Sequence, residues 1–151
     1  MKLAIITDES GAIEEVELRT LDSLDRSLET EHHVFRFSAD SIAEKEIAAI
    51  ADEQEKVYSD LVNLFSFAIP SKIQYFLTPS PEENGSVLSE LSGMEQGPMN
   101  GFCLGPNYIF AAYNDVVKCV GHHEVTHLFS YQLCMPKNQF LSEGLAMRTG
   151  A

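Results

Sequence analysis

Two histidines four residues apart, His123 and His127, with Glu124 directly after the first, are the side chains of this sequence best able to do chemistry together. Residues at i and i+4 of an α-helix share a face, so both imidazoles can reach one cation. Zinc takes neutral imidazole nitrogen well, and a catalytic zinc uses three protein ligands and leaves a fourth position for water. Glu124 then stands where it can take the proton of that water, the role that the His-Glu-x-x-His spacing gives its glutamate. A pattern of five residues arises easily by chance. Its weight depends on the surrounding chain making a helix and supplying a third ligand.

The third candidate is Glu143, in the run Phe140-Leu141-Ser142-Glu143-Gly144-Leu145-Ala146, with fifteen residues between it and His127. That gap accommodates the end of one helix, a turn around Pro136-Lys137-Asn138 and a second helix returning beside the first. At this point the sequence resembles the gluzincin metallopeptidases, in which a glutamate on a following helix completes the zinc site. The aromatic-Leu-x-Glu-Gly-x-Ala form is similar to the glutamate helix of their peptidase MA-like group. The resemblance spans residues 32–151 and is specific over 107–146.

What the resemblance implies is concrete. Zn2+ is held by His123, His127 and Glu143, Glu124 is the general base, and the reaction is hydrolysis of a peptide bond in a peptide or protein substrate. The implied fold is α+β and zincin-like: a mixed sheet with an edge strand above an active-site helix, then a short glutamate helix. The strand before the active-site helix, residues 108–113, is expected at the sheet edge, where Tyr108, Ile109, Phe110 and Ala111 pair through their backbone with an extended substrate. Ordinary packing of Ile109 and Phe110 is the competing reading of that strand. Two departures accompany the likeness. Met147 stands where thermolysin-like relatives carry an acid that orients a ligand histidine, a loss that typically costs 10- to 100-fold in metal affinity or activity. Eight residues follow Glu143, so the C-terminal subdomain common in the family is expected to be absent or truncated.

Other readings of the same residues stay open. A chain of this kind can bind zinc and a peptide without turning it over, as a binding module or a fragment of a larger peptidase. A structural zinc site fits less well, because such sites close all four positions and favour cysteine. His123 and His127 as plain solvated residues leave unexplained why two imidazoles and an acid share one stretch rich in Val, Leu and Phe. His122 lies about 100° around a helix from His123 and cannot join the same ion, so it reads as a rim residue. Cys119, Cys103 and Cys134 lack paired spacing and read as apolar core residues.

The motif needs a scaffold. Asn114 or Asp115 can cap a helix over residues 115–134 that holds the motif in its middle. Residues 100–104 and 107–113 flank Gly105-Pro106 as two short strands joined by a turn. Upstream, residues 2–7 and 13–18 form a hairpin, 22–31 connect, 33–37 and 72–77 are strands, and a long helix beginning near Ser38, Asp40 or Ser41 lies between them. Residues 79–98, rich in Pro, Gly, Ser and Glu, read as a long loop. Residues 1–31 are taken as an N-terminal hairpin and extension, and 32–151 as the metallopeptidase-like domain.

A chain of 151 residues with 44% hydrophobic content can bury one core. A net charge of −13 argues against nucleic acid as a partner, since phosphate contacts need basic patches. No stretch reaches the roughly 18 apolar residues that cross a bilayer, so no membrane partner is expected. The first residues are too briefly apolar for a secretory signal, which points to the cytoplasm; a chain whose leader had been removed would read the same way.

Overall fold

The structure is a computed structural model that describes residues 1–6 and 10–133. In chain order the elements are β1 (Lys2–Ile6), β2 (Ile13–Glu17), a 3₁₀ turn (Arg19–Ser23), β3 (Arg26–Glu29), β4 (His33–Phe37), α1 (Ile42–Phe65), β5 (Ile73–Thr78), α2 (Pro81–Ser92), β6 (Gly101–Leu104), β7 (Tyr108–Ala112) and α3 (His122–Leu133). β1 and β2 form a separate antiparallel hairpin, while a five-stranded sheet runs in the order β3-β4-β5-β7-β6. β4, β5 and β7 are parallel, and β3 and β6 close the two ends antiparallel. The fold is α+β with a mixed sheet.

The side-chain period of two along the strands sorts the core onto both faces of the sheet. Ile73, Tyr75 and Leu77 of β5 and Ile109 and Ala111 of β7 point to the face covered by α1 and α3, where they meet Val57, Leu61, Leu128 and Phe129. Phe76 and Phe110 point the other way, to Val87 of α2 and to Leu3 and Ile5 of the hairpin. The central strands are therefore buried on both sides and read as apolar runs, as parallel strands do. The sheet begins with β3, which pairs with β4 from within the stretch read as a connection over residues 22–31.

α1 starts where its caps predict. Ser41 Oγ accepts the Glu44 N–H at 3.1 Å, and the Glu44 carboxylate accepts the Asp40 N–H at 2.6 Å. Two other expectations are corrected. The stretch 79–98 is not one loop, because most of it is α2: Ser80 Oγ accepts the Glu83 N–H at 3.3 Å, Pro81 takes the first turn, and Gly93 ends the helix at φ 70°. Asn84, buried in α2, fastens the chain that follows by donating to the Met99 and Asn100 carbonyls at 3.0 and 3.1 Å.

The second correction concerns β7. It lies between β5 and β6 and not at the edge, so its backbone is engaged on both sides and Tyr108, Ile109, Phe110 and Ala111 are buried. The edge strand on this side of the sheet is β6. Backbone pairing of a substrate by those four residues is at odds with that double pairing, and Ile109 and Phe110 pack in the two cores, as the competing reading has it. No described helix is long and apolar enough to cross a membrane.

Candidate functional site

The segment between β7 and α3 decides how the histidine motif is presented. Asn114, read as a helix cap, instead closes a tight turn: its Oδ1 accepts the N–H groups of Val116 and Val117 at 2.8 and 2.7 Å, and its own N–H donates to the Val117 carbonyl at 2.7 Å. The chain then doubles back, with an isolated bridge between Tyr113 and Lys118 and the Cys119 N–H donating to the Ala112 carbonyl at 3.0 Å. The helix begins at His122, so the expected helix over 115–134 is shortened at its front and the motif occupies its first turns, not its middle. The reason is local. An asparagine side chain that satisfies backbone donors two and three residues on competes with helix initiation and favours a turn.

Two polar side chains of α1 hold this segment. Glu46 takes the hydroxyl of Tyr113 and both of its oxygens lie within 3.0 Å of Lys118 Nζ; its carboxyl sits below the usual range, first because of the Tyr113 bond and then because of Lys118. Gln54, wholly buried, faces Gly121. With its amide turned so that both ends are satisfied, its oxygen accepts the Gly121 N–H at 2.8 Å and its nitrogen donates to the Gly121 carbonyl at 3.2 Å. Gly121 has φ 123°, a region L side chains rarely adopt, and is the residue before the helix.

From that start the motif residues fall as the four-residue spacing requires. The rings of His123 and His127 lie with centroids 4.9 Å apart and planes 79° to one another. His123 is partly exposed, His127 is 5% exposed and stacks on Tyr131 at 6.0 Å. The Glu124 carboxylate comes within 3.9 Å of His123 Nε2 and keeps only 13% of its side chain exposed. His122 turns away to α1, where its Nε2 lies 3.6 Å from Asp60. Val125, Leu128 and Phe129 fill the core on the helix's other face.

β6 closes the site from above. A Cβ on Gly101, its first residue, would lie 3.5 Å from Glu124 Oε1, 2.7 Å from Cys119 Sγ and 3.3 Å from the Phe110 carbonyl. The missing side chain is what lets the edge strand come down onto the carboxylate. Cys119 is not part of α3, but it packs against the core as expected; burial, helped by the Glu124 charge, pushes its thiol up to about 11, which keeps it protonated and a poor nucleophile or ligand.

Sequence reasoning did not single out Gln54, Gly101 or Gly121. Only Gln54 left a trace, as a lone amide in the apolar row Ile50, Val57, Leu61 of α1. As a test of fit, two imidazoles on one helical face, their ring centres 4.9 Å apart, are of the donor type that zinc takes. The expected third ligand, Glu143, lies outside the described residues, as do Cys134 and Met147. Among the described residues no group of three or more His, Cys, Asp or Glu is arranged to hold a metal ion. Compared with protein-family models, with curated proteins and with solved structures, the chain matches none.

Proposed function

We propose that this chain is a zincin-like, gluzincin-type metallopeptidase that hydrolyses peptide bonds, with Glu124 as general base and with His123, His127 and Glu143 as the residues that would hold Zn2+. The observation that carries the reading is the convergence at the head of α3: two imidazoles on one face, a shielded carboxylate beside them, and the first residue of a sheet-edge strand against that carboxylate. A zinc ion bound there would polarise the scissile carbonyl and make water acidic enough to be used near neutral pH.

The protein's own groups do the rest. Glu124 takes a proton from the attacking water and returns it to the leaving amine, a task helped by its low exposure, since a carboxylate removed from bulk water interacts more strongly with nearby charge. β6 offers the backbone row of a sheet edge to an extended peptide. Such a peptide would run past Gly101 and hence past Glu124. A cytoplasmic setting belongs to the same reading.

The test is cleavage of an unstructured peptide by the purified chain, before and after chelation, beside Glu124→Gln. Chelator-sensitive cleavage is expected, with Glu124→Gln lowering kcat by roughly 10²- to 10⁴-fold, the usual span for general acid-base catalysis, while zinc is still taken up. Zinc uptake with no chelator-sensitive cleavage would replace this reading by that of a non-catalytic zinc- and peptide-binding module. No uptake would remove both.

A further inference from the structure

We propose that Gln54 is a positioning residue of this site, acting through Gly121 to set the direction in which His123 and Glu124 leave the first turn of α3. The inference rests on the function proposed above for what α3 does, but its structural part stands without it. Gly121 is the joint between an irregular segment and the helix, and glycine is the residue least able to hold its own backbone in one place. A Cβ there would meet nothing within 4 Å, so among the described residues no packing contact on that side of the joint fixes it. What grips the joint is the Gln54 amide, at 2.8 and 3.2 Å from the N–H and the carbonyl of this one residue.

Burying an amide is unfavourable unless its hydrogen bonds are made, and an apolar residue would serve the core better at a position flanked along α1 by Ile50, Val57 and Leu61. The amide's two ends match the donor and acceptor of one residue, which no aliphatic side chain can do. A second contact from α1, Glu46 to Lys118, holds the segment three residues before the joint. Gln54 holds the joint itself, two residues before His123.

The test uses the full chain. In the wild type, the Gly121 amide is expected to exchange with solvent at least tenfold more slowly than that of exposed Asp115, following the protection that buried hydrogen bonds confer; equal exchange would overturn the proposal without any variant. Gln54→Met keeps length and bulk and removes both hydrogen bonds. It is expected to speed exchange at Gly121, His122 and His123 while leaving Phe35 in β4 unchanged, and to weaken zinc binding by about 10- to 100-fold, the range typical of lost support around a ligand. It should lower kcat with KM preserved. Wild type and Gln54→Met binding zinc equally would sink the positioning role and spare the function. Wild type failing to bind zinc would sink the function, and the exchange data would still decide whether Gln54 holds the helix start.

Discussion

A single absent side chain sets how close the edge strand comes to the proposed general base. Gly101 was not legible as a functional position, because nothing near it in sequence says that Cys119, eighteen residues on, will lie above it. His123, Glu124 and His127 were legible because helical spacing alone puts them together, with no long-range contact needed. The contact argument makes a prediction for Gly101→Ala. A Cβ placed 2.7 Å from Cys119 Sγ overpacks the site, since real Cβ contacts are never so short, and the expected loss is about 1–3 kcal/mol of stability. Removing the sulfur relieves the clash, so Gly101→Ala with Cys119→Ala should be more stable than the sum of the two single changes by at least about 0.5 kcal/mol. Urea midpoints of the four proteins measure the coupling; strict additivity would mean that the neighbours move aside freely.

Elements were legible where the signal was local and unambiguous, and misread where one residue type serves two structures. β4, α1 and β5 follow from period and caps alone. α2 was missed because Ser, Pro, Glu and Gly are read as loop composition, although Ser80-Pro81-Glu82-Glu83 is also an N-cap, a first-turn proline and two acids at a helix start. Asn114 failed in the opposite direction: a residue able to cap a helix closed a turn instead. β7 was assigned correctly as a strand and wrongly as an edge, since sheet order depends on which strands find one another and leaves no mark in a single strand. The capping account of α2 predicts that Ser80→Ala destabilises the chain by about 1 kcal/mol, the usual cost of removing such an N-cap. Thermal unfolding would register it, and amide exchange in α2 should rise most. An unchanged midpoint would show that burial of Val87 and Asn84 holds α2 without its cap.

At the scale of the whole molecule α1 is a strut that grips the motif segment on one side and the start of the sheet on the other. Next to Gln54, Glu55 takes the Nδ1–H of His32 at 2.6 Å, that of His33 at 3.0 Å, the Thr30 hydroxyl at 2.6 Å and the His32 N–H at 2.9 Å. Lys72 joins from the start of β5 by donating to the Thr30 carbonyl at 2.8 Å. Burial pushes the Glu55 carboxyl up, but its bonds to Thr30, His32 and His33 together outweigh that and hold it at about 2. Burial lowers His33 more than Glu55 raises it, and its Nε2 meets no hydrogen-bond partner among the described residues, walled in by Phe35, Tyr58 and Tyr75. Both groups are therefore depressed in the folded chain, and the unfolded chain binds more protons in both cases, so stability falls with acid. The His33 part is fully present above its ordinary value of 6.5 and declines as the pH drops below it. The Glu55 part is present above 4.5 and is lost between there and about 2. Urea midpoints at pH 7.5, 5.5 and 4 should fall in that order. His33→Phe should flatten the change between the first two conditions, and Glu55→Gln, which removes the charge that raises His33, should keep or enlarge that change while flattening the decline below pH 4.5. A wild-type midpoint equal at pH 7.5 and 5.5 would mean that His33 accepts a proton in the folded chain, and the closed aromatic setting drawn for its ring would be wrong.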